Sequence, residues 1–579
     1  MIEDANTVPR GSVLQADVCV VGAGPAGIAL ALALEGQGLR VLLLEAGRRP
    51  RDRRAQALYE GDLANAHHSP PHRYRLRGLG GSSAIWGGRC MPFDPIDFEA
   101  RPWVPHSGWP LSFEDLLPHY EAANALAEAG RHAYEAHEAL PGAQPLVAGF
   151  ASEIVRTSSL ERFSCPTDFG RRYANRLRAS RDIHVLQGAI CTAVRLDPRI
   201  GTGPGPHAPA VQRVEELALA TLEGNRLQVQ ARAAVLAAGG LENARLLLCS
   251  SDVVPQGVGN RHDVVGRYYM CHLAGNLGTL SLHGSPSAVR HGYEMAPEGV
   301  YCRRRLSIAP AHQRAHGLLN AVARLHFPRI ADPAHGSGVL SGLFLARRFI
   351  RYEYGRRLHD GGMPSPGQLA RHTVNVLRDG AAIAAFLGHW LARRTLASRK
   401  FPSVILANRT NCFSLEVQGE QQPHPASRVT LSHRADALGM RCLQVDWRYR
   451  PQDIDSVART LALMAAEFER SGTGHLHVDR YALEEDLLRY GAYGGHHIGT
   501  TRMGRDPRTS VVDADARVHD VDNLYIAGSS VFPTSSQANP TLTLLALALR
   551  LAGHLATRLG TRPRLPSLPA PGLMQETTP

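Results

Sequence analysis

Lysine is almost missing from this chain of 579 residues: of its 64 Lys and Arg residues, Lys400 alone is lysine and the other 63 are arginine. So strong a bias reads as codon pressure in a GC-rich genome. The net charge of +12 would suit nucleic acid, but no basic run forms a tail and aromatics make up only 6%. Net charge is therefore read as a solubility term, and no nucleic-acid partner is expected. Paired cysteines are lacking too. The nine are scattered, and none forms a C-x-x-C pair, which argues against a disulfide framework or a zinc ribbon. Most are expected to be buried apolar fillers. No apolar run reaches the ~18 to 20 residues of a membrane span. The opening "MIEDANTVPRGSVLQADVCVV" has no basic segment followed by a long apolar one. A soluble, cytoplasmic protein is expected. Its length exceeds what one core usually holds, so two domains are expected.

Glycine, by contrast, is plentiful, with 56 residues. Residues 17–47 read "DVCVVGAGPAGIALALALEGQGLRVLLLEAG". An apolar strand runs into Gly22-x-Gly24-x-x-Gly27, a helix follows, and a second strand ends in Glu45 and Ala46. This is a βαβ dinucleotide-binding unit with its parts in order. Gly22 permits the tight turn, Gly24 lets backbone touch a pyrophosphate, and Gly27 lets the helix pack on the sheet. The helix N-terminus, which starts at Pro25 and Ala26, offers the free N–H groups of the residues after the proline and a positive dipole end to phosphates. Glu45 can accept hydrogen bonds from a ribose diol and disfavours a 2′-phosphate. The fingerprint alone does not separate FAD from NAD.

Three further stretches return to such a site. "GLGGSSAIWGGRCMP" (78–92) has too many small residues for a helix or strand interior and suits a loop lying against a flat ligand. Its candidate contacts are Gly80, Gly81, Ser82, Ser83, Trp86, Gly87 and Gly88. "VLAAGGLENARLLL" (235–248) is a strand turning into a helix, with Ala238 and Gly239 beside the ligand. "LYIAGSSVFPTSSQANPTLTLLALALRLAGHLA" (524–556) is a strand, a small-residue turn holding Gly528 and Ser529, and a long helix predicted to start near Pro540 and Thr541.

These pieces, in this order, resemble the glucose–methanol–choline (GMC) family of flavin oxidoreductases. "EQQPHPASRVTLSHRADALG" (420–439) resembles the family's substrate-domain element, and the C-terminal block is similar to pyranose-oxidase-like sugar enzymes. The resemblance implies an α/β fold. Its Rossmann-like FAD domain is discontinuous, taken as residues 1–98, 186–275 and 491–561. The substrate domain, of antiparallel β-sheet and helices, comprises 99–185 and 276–490. It also implies FAD, and Cys191 is added to the cofactor's surroundings. Where pyranose oxidase has a flavin-linked histidine, this chain has Ile85, so non-covalent FAD is expected.

"GGHHIGTTRMG" (494–504) holds adjacent histidines that could be a metal site, a base beside a spectator, or a polar loop. The family's His-x-x-Gly-Thr element matches His496 through Thr500. This makes His496 the implied catalytic base and His497 a structural neighbour. The family's second catalytic position falls on Asn539. Alcohol oxidation removes a proton from oxygen and a hydride from carbon. An imidazole with an ordinary pKa of about 6.5 suits the proton, transferred as the hydride leaves. Asn539 would hydrogen-bond the same oxygen. No metal is expected, because adjacent residues of an extended segment point to opposite faces and no acid or cysteine lies nearby.

Ser112 before "FEDLLPHYEAA" reads as a helix N-cap, and His272 as a pocket lining or a structural histidine. Residues 335–400 read as basic, amphipathic helices: an inserted layer or, as the sharper alternative, a docking face for a membrane or an electron acceptor. Residues 562–579, rich in proline, are expected to be disordered. The expected activity is FAD-dependent oxidation of a sugar, glycoside or polyol hydroxyl. A dehydrogenase is favoured over an oxidase, with the acceptor unread. The alternatives are an epimerase or isomerase acting by transient oxidation, a flavoprotein without catalysis, and a peripheral-membrane dehydrogenase serving a quinone or cytochrome.

Overall fold

The computed structural model describes residues 1–48, 52–198, 211–349, 364–406, 408, 410–489 and 492–561. The expected tail at 562–579 lies outside the described residues. Two sheets organise the chain, an α/β arrangement as expected. The first has eight strands, with a parallel centre running Ile2–Asp4, Ile183–Gln187, Val41–Glu45, Val13–Val21, Arg226–Leu236. Leu524–Ile526 adds parallel to Arg226–Leu236, and Val214–Ala220 and Ile190–Leu196 complete the sheet as an antiparallel meander. The inner ends of these strands are buried on both faces, which is why Val18–Val21 and Val41–Leu44 read as unbroken apolar runs.

Helix Pro25–Leu34 is apolar all round, and Ala26 through Leu34 are buried. It packs on the sheet and against the C-terminal helix Thr541–Arg558. Burial on every side removes the polar stripe a surface helix would show. Gly27 permits the approach: a Cβ there would lie 2.0 Å from the Gly22 carbonyl oxygen.

The second sheet is antiparallel, with seven strands. Gly474–His477, Met270–Leu282, Cys412–Gly419, Ala321–His326, Leu306–Ile308 and Val155–Arg156 follow in order, and Tyr493–Ile498 pairs with Met270–Leu282. A smaller sheet comprises Tyr293–Met295, Tyr301–Arg304, Leu160–Phe163 and Arg89–Cys90. Gly61–Leu63 pairs not with its sequence neighbours but with Arg441–Asp446. Helix Phe113–Leu126 starts as expected: the Ser112 hydroxyl accepts from Asp115 N–H, and the Asp115 carboxylate accepts from Ser112 N–H.

In the stretch 335–400 the described residues form helices Gly338–Leu345, Pro366–Arg378 and Gly380–Trp390. The last buries none of its residues; Leu387 within it and Leu391 just after it are 58% and 53% exposed. No helix among the described residues is long and apolar enough to cross a membrane.

Candidate active site

The sequence signals converge on one cavity of about 440 Å³, within the roughly 300–1,000 Å³ usual for small-molecule and cofactor sites. Its wall is built first from the fingerprint turn. Gly22 takes φ +110, and a Cβ there would sit 2.6 Å from the Ala237 carbonyl oxygen. Gly24, Pro25 and Ala26 line the cavity. Gly24 is the helix N-cap, no side chain caps it, and a Cβ there would meet nothing within 4 Å. Bare backbone and uncapped N–H groups therefore face the void, as a pyrophosphate requires. Glu45 and Ala46 continue the wall. The Glu45 carboxylate accepts from the N–H groups of Ala23, Gly47 and Gly78 at 2.8 to 3.1 Å. Burial lifts its pKa above the usual carboxylate range, against the pull of those amides and of Arg77.

The small-residue loop contributes Gly81, Ser82, Ser83, Ile85, Trp86, Gly87 and Gly88. Gly80 is not on the wall. It turns at φ +92 behind it, where a Cβ would lie 2.4 Å from Gly170 N. Gly27 likewise stands behind the wall as a packing glycine. These two candidates shape the site rather than line it. Trp86 is fixed by its indole N–H donating to the Thr167 carbonyl at 2.9 Å. Cys191, Ala238, Gly239, Gly528, Ser529, Pro540 and Thr541 complete the same wall. The bare turn, the uncapped helix start and the anchored carboxylate fit an adenine dinucleotide, and these wall residues are the ones that would hold it.

His496 and Asn539 line the cavity together. His496 lies on Tyr493–Ile498 and is half-buried, open toward the cavity. The loop after it is clamped: N–H groups of Gly499, Thr501 and Met503 donate to Ser529, Ser530 and Val531, and Ser529 Oγ donates to the His497 carbonyl at 2.7 Å. Burial, then His272 and Arg89, hold the His496 pKa well below the ordinary 6.5. Its ring is neutral at pH 7.

Asn539 is oriented by Gln418, which lies on Cys412–Gly419. The Gln418 amide nitrogen donates to the Gln537 carbonyl at 2.7 Å and to Asn539 Oδ1 at 3.2 Å. A carbonyl only accepts, so the donor assignment at Gln418 is fixed by the network. Asn539 Oδ1 is thereby engaged, and its NH₂ group is the end left for a ligand. Gln418 also lines the cavity, with Arg89, Phe163 and Tyr293. Sequence reasoning missed all four. Arg89 ends the small-residue loop without being singled out, and no motif marks the other three.

His497 turns to different partners. Its Nδ1 lies 2.6 Å from the Tyr269 hydroxyl, which also contacts His68 Nε2 at 2.7 Å and Cys271 Sγ at 3.3 Å. His68, Cys271 and His497 are close enough to suggest a metal triad. The phenol occupies the middle, however, at distances set by shared protons rather than by an ion. His68 Nδ1 contacts the Ser69 carbonyl at 2.5 Å, so it is protonated, and Nε2 accepts from Tyr269. Tyr269 therefore accepts from His497 Nδ1–H. His497 is 7% exposed, and its Nε2 has no partner among the described residues. Gly240 was missed as well. A Cβ there would lie 2.1 Å from the His497 carbonyl oxygen, so only glycine lets this strand approach.

The profile of the family "FAD dependent oxidoreductase" matches residues 17–337, and that of "GMC oxidoreductase" matches residues 423–548. The chain is 25% identical over 588 residues to 6'''-hydroxyparomomycin C oxidase of Streptomyces lividus, covering 94% of this chain and 92% of that protein. It is 24% identical over 607 residues to 2-methyl-1,2-propanediol dehydrogenase of Mycolicibacterium austroafricanum, covering 94% and 96%. Among solved structures, pyridoxine 4-oxidase from Mesorbium loti shares the fold with a TM-score of 0.53 at 20% identity, covering 93% of this chain and 98% of that one.

Proposed function

The chain belongs to the GMC family of FAD-dependent oxidoreductases, and from this premise we propose that it oxidises a hydroxyl group of a sugar, glycoside or polyol to a carbonyl. The observation that carries the reading is that His496 and Asn539 line one cavity with opposite hydrogen-bonding character. FAD, when bound, supplies the acceptor for the hydride. The rest falls to the protein. Asn539 offers N–H to a lone pair of the substrate oxygen, because Gln418 holds its carbonyl. His496 offers a neutral imidazole to the O–H, because burial keeps it unprotonated. An alcohol is far less acidic than imidazolium, so the proton moves only as the hydride leaves and the oxygen becomes carbonyl-like. Base assistance of this kind is worth about 10² to 10⁴ in rate.

The two enzymes of similar sequence act, by their names, on 6'''-hydroxyparomomycin C and on 2-methyl-1,2-propanediol; that supports the substrate class proposed. One is named an oxidase and one a dehydrogenase. We favour a dehydrogenase passing electrons to an acceptor other than oxygen. Ile85 has no atom able to bond to a flavin and lines the cavity, which supports non-covalent FAD. The division into an FAD part (1–98, 186–275, 491–561) and a substrate part (99–185, 276–490) belongs to the same reading, as does a cytoplasmic site of action.

An anaerobic screen of sugars and alcohols, watching flavin bleaching, tests the activity. His496→Ala is expected to keep its flavin and lose at least a hundredfold in the rate of bleaching, near the lower end of base assistance. His497→Gln is expected to lose far less. A His496→Ala protein within about threefold of wild type removes His496 from the mechanism. A large loss in His497→Gln alone transfers the role to its neighbour, whose unpartnered Nε2 is the one feature favouring that second reading.

A further inference from the structure

His272 has no part in the proton transfer just proposed, yet its ring meets that of His496 directly. It is fully buried on Met270–Leu282, the strand that pairs with Tyr493–Ile498. Its Nε2 lies 3.2 Å from the Ser535 carbonyl oxygen, and its Nδ1 lies 2.8 Å from Nδ1 of His496. A carbonyl oxygen can only accept, so His272 Nε2 carries a proton. Burial, helped by the Arg324 guanidinium and opposed by the Ser535 and Ser536 backbone, pushes the His272 pKa down to about 4. The ring is therefore neutral at pH 7, and its Nδ1 is unprotonated. Two Nδ1 atoms 2.8 Å apart need one proton between them, and His496 must supply it. A neutral His496 with Nδ1–H has its other nitrogen, Nε2, unprotonated.

We propose that His272 is a positioning residue: its Nδ1 holds His496 in the tautomer whose unprotonated Nε2 receives the substrate's hydroxyl proton. The inference rests on the reading of His496 as the base. The two rings meet edge to face, 4.9 Å apart at 85°, which also fixes the plane of His496. In the opposite tautomer Nε2–H would point a donor at a hydroxyl that must itself donate, and no proton could move. In the working tautomer the hydroxyl O–H bond breaks and an N–H bond forms at Nε2. The carbon's hydride leaves for the flavin in the same event, so proton and electron pair are both accounted for.

A neutral partner also differs from a carboxylate in its effect on the protonated base. A carboxylate at Nδ1 would stabilise the imidazolium and raise its pKa. His272 adds no negative charge. The charged groups facing the pair are Arg89 and Arg324, each held by Glu161, with Glu416 reaching Arg89 as well; His497 stands alongside. The protonated base is thus without the stabilisation that a carboxylate at Nδ1 would give it.

Two variants of the FAD-loaded enzyme test this. His272→Leu removes the acceptor while filling the buried space. His272→Asn returns an acceptor, Oδ1, near the Nδ1 position. The tautomer of His496 is read by nitrogen NMR of protein labelled with ¹⁵N-histidine, its signals assigned by their loss in His496→Gln. Wild type should show a protonated Nδ1 and an unprotonated Nε2. His272→Leu should show the second tautomer, and His272→Asn should restore the first. Flavin reduction by 2-methyl-1,2-propanediol, measured anaerobically, should slow about ten- to a hundredfold in His272→Leu with little change in substrate affinity. It should recover in His272→Asn, a rescue that a merely space-filling role does not give. A protonated Nε2 in wild type overturns the proposal, and so does a His272→Leu protein with the wild-type tautomer. If His272→Leu fails to hold FAD, the wild-type tautomer and the His272→Asn rate decide. If neither this diol nor any other alcohol reduces wild-type flavin, the alcohol-oxidation reading fails, and the NMR result still judges His272.

Discussion

Replacing Gly240 by alanine should separate catalysis from cofactor binding. The new Cβ would lie 2.1 Å from the His497 carbonyl oxygen and 2.6 Å from the His497 Cβ, where ordinary contact starts at 3.4 Å. The strand carrying His496 and His497 must then retreat by about 1.3 Å, the difference between those contacts, while reacting groups tolerate only about 0.5 Å. A misplacement of ~1 Å can cost roughly 10²-fold in rate. The same crowding should cost about 1–3 kcal/mol of stability. Gly240 does not adopt positive φ, so the effect is steric and not conformational. Gly24→Ala is the contrast. Its Cβ would enter open space in the cavity wall, so the fold should keep its stability and FAD should be lost. The assay is paired: flavin absorbance per protein, then anaerobic bleaching by an alcohol substrate. Gly240→Ala should retain flavin and bleach about a hundredfold more slowly. A Gly240→Ala protein with normal unfolding and bleaching within about threefold of wild type would show that the strand has room, and would refute the clamp.

Acid precipitation should release all the yellow colour, because Ile85 offers no bond to flavin; colour retained in the pellet contradicts this. Gln418→Leu should free the Asn539 amide to rotate and slow bleaching about tenfold, with flavin intact, since one orienting hydrogen bond is lost; an unchanged rate removes Gln418 from the positioning of Asn539. The His272 pKa is lowered to about 4 in the folded state, so below pH 6.5 the unfolded chain takes up the proton first. Wild type should lose up to about 1.4 kcal/mol of stability per pH unit from this group between pH 6.5 and 4, and His272→Asn should lack that loss; parallel pH profiles from thermal unfolding would contradict it. The stretch 335–400 reads first as an inserted layer and only as a sharper alternative as a docking face; helix Gly380–Trp390, with Leu387 exposed in it and Leu391, Arg393 and Arg394 following, is where that alternative is tested. On that alternative alone the protein would come down with anionic vesicles at low salt and be released at high salt; no binding at low salt ends it and leaves the inserted layer.

The parts legible in the sequence are those whose physics is local. The turn Gly22–Gly27, the helix behind it and Glu45 lie within one βαβ unit, and each residue's reason is a dihedral, a close approach or a dipole a few positions away. The start of the last helix beside Pro540 and the cap at Ser112 are local in the same sense. The small-residue loop was legible as a loop, but its glycines divide in a way that spacing does not announce. Gly81 and Gly87 line the cavity, whereas Gly80 exists for the backbone of Gly170.

The illegible parts are partnerships across sheets. His496 and His497 are covalent neighbours with similar composition around them, and in both the hydrogen bonds put the ring proton on Nδ1. What differs is the partner. One ring meets a buried imidazole that ends on a carbonyl; the other meets a phenol that ends on a second imidazole. Those partners come from positions 272 and 269, more than two hundred residues away in the chain. Gln418, which decides which end of Asn539 a substrate meets, is 121 residues from it. On the reading of His496 as the base, a motif can therefore locate the residue, but the atom proposed to act is chosen by residues the motif does not contain. On the proposal above, the tautomer of His496 is set from a carbonyl oxygen at Ser535 through two imidazoles in series, each link a donor–acceptor constraint while burial keeps His272 neutral. A substitution that preserves the motif but reverses one link should leave the fold and the flavin in place and still stop the chemistry.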